Sequence, residues 1–407
     1  MFKAACFTAA GALLINGAFV PPAFSQDSAC TVSQTGQSFV LHAMDAKGNP
    51  LSDIAGGYHL SVTVNGDASG AAAPNAQSAQ TAQSVIVLVD TGSTALAVPA
   101  WKIGNFPANP EHDTSGVVIS NLQKYGYSSS ENNYYGYVIQ ASVTVQDASG
   151  TSFEAKDVQV FAITKTCGTG KVCTPLTSKS AKQPGMMGVG FQPPKLTVNV
   201  AGSQPQPATH TNVFAQVPGV ETQGWILSSD GRIVVGLNSA TTANFSGWTP
   251  MVQASSGGLQ PAGCVYVTAP NKPVSQPLCG TILVDTGMSA MNMWVNSGET
   301  GQDPFCGPPP TSSKAGFNGA PLPASATVAI QSPRQSPLLD YAFAAGGGKA
   351  GTPTGTYCTN VKGQTNPDVA QNAHFNTGRM PLQRYSFARN QTCGSYAFLK
   401  GPIQIQK

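Results

Sequence analysis

Charged side chains are scarce in this chain. Of its 407 residues, 10% are Asp, Glu, Lys or Arg, against about 25% in a typical soluble domain, so Ser, Thr, Asn, Gln and backbone groups must supply most of its polar surface. The net charge of +3 is small and scattered, and no basic run occurs. That pattern argues against nucleic acid or an anionic membrane surface as partner. Long apolar runs are also missing: the stretch Ala9–Val20 is interrupted by Asn16 and Gly17 and is too short to span a bilayer. There is no Gly-x-Ser-x-Gly elbow, no His-Glu-x-x-His and no Gly-x-x-x-x-Gly-Lys, which excludes the common signatures of serine hydrolases, zinc peptidases and P-loop proteins. His42, His59, His112, His210 and His374 form no ligand pattern, and no Cys-x-x-Cys occurs. Neither a metal nor a cofactor is expected.

What is present at the start resembles an export signal. Lys3 is followed by the apolar stretch and then by Ala23-Phe24-Ser25, a small-residue cleavage site before Gln26. Residues 1–25 are therefore expected to be a signal peptide, and the mature protein to be secreted or periplasmic. Losing Cys6 with that segment leaves Cys30, Cys167, Cys173, Cys264, Cys279, Cys306, Cys358 and Cys393. An even count in an oxidising compartment favours disulfides. Loop length favours Cys167–Cys173 and Cys264–Cys279 as local staples, then Cys306–Cys358, with Cys30–Cys393 tying the chain ends.

The 44 glycines and 31 prolines stay below the level of about 25–30% that signals disorder, so the chain is turn-rich and folded. Short β-branched or alternating runs dominate, among them His59–Val64, Val85–Val89, Tyr137–Val145, Val158–Ile163, Gly231–Leu237 and Ile282–Val284. Helical periodicity is limited to Asn212–Val217 and Pro381–Tyr385. An all-β protein follows, with Gly66–Gln83 and Pro308–Ala320 as long surface loops.

Against this background one tetrapeptide stands out. Val-Asp-Thr-Gly occurs at Val89–Gly92 and again at Val284–Gly287, each time after an aliphatic run. The order is strand, acid, glycine turn, in which backbone donors can hold the carboxylate. Gly188 follows Asp90, and Gly378 follows Asp285, at nearly equal distances along the chain. The repeat predicts two lobes related by a pseudo-twofold axis, 26–252 and 253–407, each lending one Asp to a shared cleft. Two carboxyls about 3 Å apart cannot both ionise, so the pair holds one proton. One member can then take a proton from water while the other gives one to a carbonyl oxygen.

These motifs resemble the pepsin-type aspartic endopeptidases. Asp90-Thr-Gly-Ser-Thr-Ala-Leu-Ala-Val-Pro99 is similar to the family's Asp-Thr-Gly-Ser-x-x-Leu-Trp-Val-Pro, and Gly185-Met-Met-Gly188-Val-Gly-Phe191 to its Gly-Ile-Leu-Gly-Leu-Gly-Phe. Ile233–Ser239, Gly247–Pro250 and Leu382–Arg389 resemble its later segments in the same order, from about Tyr58 to Leu399. The resemblance implies a bilobal acid-protease fold of two β-barrel-like lobes and a monomer that takes a polypeptide into the cleft. Asp90 and Asp285 would activate water, with Thr91 and Thr286 bonded across the lobes and Gly92, Ser93 and Gly287 supporting the dyad. A flap hairpin would carry Tyr125 or Tyr127 near its tip.

Three departures qualify that picture. Met288 stands where the family has Ser or Thr, leaving the second carboxylate without one orienting hydroxyl, while Ser93 keeps it in the first lobe. Ala97 replaces a Trp that supports the flap, with Trp101 close by. Asn376-Thr377-Gly378 replaces two apolar residues and Gly. The chain is thus read as a secreted aspartic endopeptidase, or alternatively as a pepsin-fold protein that binds a peptide, an enzyme or a polysaccharide without hydrolysis.

Overall fold

The computed structural model describes residues 32–405 apart from 68–79, 128–131, 168–171, 181–184, 193–194, 201–202, 255–256, 271–276, 296–304, 307–318, 349 and 361–372. The expected signal segment, Cys30, the flap tip and most of the two long loops lie outside the described residues, as does the Tyr127 side chain.

The strand Val85–Asp90 is built as its sequence dictates. Val85, Val87 and Val89 are buried while Ile86 and Leu88 face a partly open side, the period of two that a pleated strand imposes. Each buried Val contributes about 1.5–3 kcal/mol. The strand pairs antiparallel with His59–Gly66 and parallel with Met186–Gly188, where Asp90 lies opposite Gly188. These strands belong to an eight-stranded sheet ordered Gln123–Tyr127, Asn132–Gln146, His59–Gly66, Val85–Asp90, Met186–Gly188, Leu96–Pro99, Ser152–Cys167, Thr174–Pro175. Direct pairing of Asn132–Gln146 with Ser152–Cys167 closes it into a barrel.

The second half repeats the central device. Leu278–Leu283 runs parallel to Ala373–Asn376, with Leu283 opposite Asn376, inside another eight-stranded sheet. A six-stranded antiparallel sheet joins the halves: Phe39–His42, Arg232–Leu237 and Thr222–Leu227 pair onward to Tyr385–Asn390, Ser395–Lys400 and Thr249–Pro250. One continuous apolar cluster includes Val89, Trp225, Val284 and Phe387.

The fold is thus all-β, with helical backbone among the described residues confined to short turns. The helix expected at Asn212–Val217 is a 3-10 turn over Val213–Gln216, capped where Asn212 accepts from Phe214 N–H. The second expected helix is a 3-10 turn over Met380–Gln383. Cys167–Cys173, Cys264–Cys279 and Cys306–Cys358 are disulfides, and Cys264 and Cys279 lie directly opposite each other in their strand pair. No helix among the described residues is long and apolar enough to cross a membrane.

Candidate active site

Asp90 ends its strand and Asp285 follows two residues after the end of Leu278–Leu283, and each enters a glycine turn whose N–H turns back on the carboxylate. Gly92 N–H donates to Asp90 Oδ1 at 2.8 Å, and Gly287 N–H to Asp285 Oδ1 at 2.8 Å. The two turns meet. A Cβ on Gly92 would sit 2.7 Å from Asp285 Cγ, and one on Gly287 would sit 2.6 Å from Asp90 Oδ1. Contacts that close force a shift, so only glycine lets each turn approach the acid of the other half.

Behind the acids the threonines interlock. Thr91 N–H donates to Thr286 Oγ1 at 3.0 Å, and Thr286 N–H to Thr91 Oγ1 at 3.0 Å. Each hydroxyl donates onward across the interface, Thr286 to Val89 O at 2.6 Å and Thr91 to Val284 O. Both threonines are buried, so each hydroxyl is needed to satisfy backbone groups that water cannot reach.

Asp90 and Asp285 are 5% and 8% exposed, and their carboxyls are hydrogen-bonded to each other. Burial pushes the Asp285 carboxyl well above the usual carboxylate range, and the neighbouring Asp90 charge and bond push the same way. Asn376 and the Gly287 N–H oppose that shift. A bonded pair with one member raised holds a single proton over a wide range of pH. Among the described residues no three His, Cys, Asp or Glu side chains gather as a metal site.

No family model matches this chain, and no curated protein matches it. Among solved structures, the crystal structure of an aspartic proteinase from Irpex lacteus aligns over 90% of this chain and 98% of that one, at 14% identity and a TM-score of 0.49. At that level of similarity, the site rests on its own strands and hydrogen bonds.

Those bonds change what the departures mean. Met288 is buried and brings no donor, yet Asp285 is not short of one: Asn376 Nδ2 donates to Asp285 Oδ2 at 2.6 Å. Asn376 is held in turn, since its Oδ1 accepts from Gly378 N–H at 3.0 Å. The polar Asn376-Thr377-Gly378 segment is thus buried with the Asn376 amide bonded at both its oxygen and its nitrogen. Gly378 has a φ of 61° and a Cβ there would meet Ala290 O at 2.5 Å. Gly188 occupies the matching place in the first half, where a Cβ would meet Ala95 N at 2.4 Å.

The two halves thus distribute polarity in opposite ways. In the first, the loop position after Asp-Thr-Gly is Ser93 and the residue two before Gly188 is Met186; in the second, these are Met288 and Asn376. The Ser93 hydroxyl is buried with no hydrogen-bond partner, so the donor expected at Asp90 from Ser93 is not made; the Gly92 N–H holds that carboxylate instead.

Tyr125 lies on the strand Gln123–Tyr127, opposite Tyr134 on Asn132–Gln146. Its ring is 5.4 Å from that of Phe161, in a buried cluster that includes Ala95 and Ala97. The small Ala97 therefore shares a cluster with the aromatic ring. Trp101 sits on the 3-10 turn Ala100–Lys102 that follows Leu96–Pro99.

Sequence reasoning overlooked Arg379. Its Nη1 donates to Thr286 O at 3.0 Å and its Nε to Ala55 O at 2.8 Å. A lone cation directly after Gly378, in a chain so poor in charge, was the available signal.

Proposed function

We propose that the chain is a secreted aspartic endopeptidase of the pepsin type that hydrolyses peptide bonds in extended, partly apolar polypeptides. The observation that carries this reading is the hydrogen-bonded pair Asp90 and Asp285, buried where the two glycine turns meet. The ionised member takes a proton from water as that water attacks the peptide carbonyl, and the protonated member donates to the carbonyl oxygen. No covalent intermediate is needed. Thr91 and Thr286 fix the separation of the turns, and Gly92, Gly287 and Asn376 orient the carboxylates. Residues 1–25 act as the export signal, 26–252 and 253–407 are the lobes, and the disulfides suit an oxidising compartment. Tyr125, with Tyr127 as the other candidate, belongs to the hairpin that closes over substrate.

The binding-protein alternative drew on Met288 and Asn376-Thr377-Gly378. With Asn376 donating to Asp285, those departures favour a re-supplied donor over a lost one. The test is proteolysis of an unfolded protein by the mature chain from acid to neutral pH. Cleavage that falls by about a hundredfold to ten-thousandfold in both Asp90→Asn and Asp285→Asn supports the enzyme; equal inertness of wild type and variants refutes it.

A further inference from the structure

Arg379 is the cation of the dyad's surroundings. Its guanidinium is half-buried and makes no salt bridge to a described residue. It is anchored from two sides, on the carbonyl of Thr286, the residue immediately after Asp285, and on the carbonyl of Ala55 in the 3-10 turn Ile54–Gly56. Both anchors are uncharged acceptors, so neither of them neutralises the guanidinium.

The charged and titratable groups that face it come from four elements. Burial holds the Arg379 guanidinium below the usual arginine range, and the charges of Asp285 and Asp90, from the two glycine turns, oppose that shift. His59 comes from the strand His59–Gly66; burial, and then the Arg379 charge, hold it below the usual histidine range. Asp53 caps the 3-10 turn through Ala55 N–H and is exposed, so water screens it. That leaves the dyad as the guanidinium's counter-ion in the protein interior.

We infer that Arg379 is a positioning residue that sets the pH window of the dyad. A fixed cation stabilises each more negative state of the pair, so it lowers both macroscopic steps. The active form, with one proton shared, lies between those steps. The window is therefore displaced toward acid relative to the same dyad without the cation. This rests on the proposed protease reading for its functional meaning, but the electrostatics can be read separately.

The experiment is a titration of full-length mature protein carrying carboxyl-13C aspartate, with the dyad signals assigned through Asp90→Asn and Asp285→Asn, alongside the pH profile of kcat/KM. In Arg379→Gln, which keeps an amide donor but loses the charge, both steps and both limbs should move up by about half to one unit. Arg379→Lys should stay near wild type. Should the amide impair folding, Arg379→Met fills the same channel without charge and should shift in the same direction. Unchanged steps in the neutral variants, or a shift in Arg379→Lys as large as in Arg379→Gln, would overturn the inference. Shifted NMR steps in a protein that cleaves nothing would instead sink the protease reading and leave the electrostatic role standing.

Discussion

Asn376 and Asp285 are joined by a 2.6 Å hydrogen bond between two buried side chains, Asn376 at the end of its strand and Asp285 just beyond the end of the parallel partner strand. Asp285 already accepts the Gly287 N–H on its other oxygen, so both carboxylate oxygens have an N–H donor. Met288, whose side chain offers no donor, lies next in chain to the same turn. The second donor of this carboxylate comes from the strand and not from the loop.

Asn376→Ala should therefore lower kcat by about tenfold to a thousandfold, the range for removing one positioned donor at a reacting centre. Met288→Thr alone should give little gain, because the oxygen it would serve is occupied. Combined with Asn376→Ala it should recover much of the loss, and steady-state kinetics on the four proteins completes the cycle. Additive effects would mean that the two positions do not serve the same carboxylate.

Thr91 and Thr286 each donate to a carbonyl of the opposite half and accept its N–H. Replacing either by Val keeps the shape but strands a buried acceptor and a buried donor. Each variant should lose about 1–3 kcal/mol of stability, measured by urea denaturation. Thr91→Val with Thr286→Val should cost less than the sum, since the two share partners.

His374 gives the fold an acid sensitivity of its own. It stacks on Trp294 and shares a hydrogen bond with Thr281 Oγ1, and burial depresses it from 6.5 to about 4. Below the unfolded value the unfolded chain binds a proton that the folded one refuses. Stability from this group is thus full above about pH 6.5, falls as pH drops toward about 4, and levels below that, with a loss of at most about 3 kcal/mol. His374→Gln should flatten that part of the curve in thermal melts from pH 7 to 4. An identical slope in the variant would assign the acid sensitivity to other groups.

Much of the frame was legible from composition and pattern. Val85–Asp90 announced itself by β-branched residues ending at an acid, and the repeat of Gly188 and Gly378 marked a second glycine-containing element in each half, though not its parallel pairing with the strand before the acid. The Cys264–Cys279 disulfide followed from short loop length. The part Asn376 plays was not legible because sequence reports polarity without direction. An Asn at the end of a buried strand is costly only if its amide finds no partner, and the partner is contributed by a strand far away in the chain. Ser93 failed for the converse reason: a hydroxyl of the right type sits in the right place, but its Oγ finds no partner.

The sequence by itself determined that two Asp-Thr-Gly turns would end two buried strands of an all-β chain, since local alternation, β-branching and glycine decide such elements. Only the tertiary structure decided what surrounds each carboxylate. Hydrogen bonds and charges act through space, so Asn376 at Asp285, the threonine interlock and the guanidinium of Arg379 exist only once strands remote in sequence are packed together.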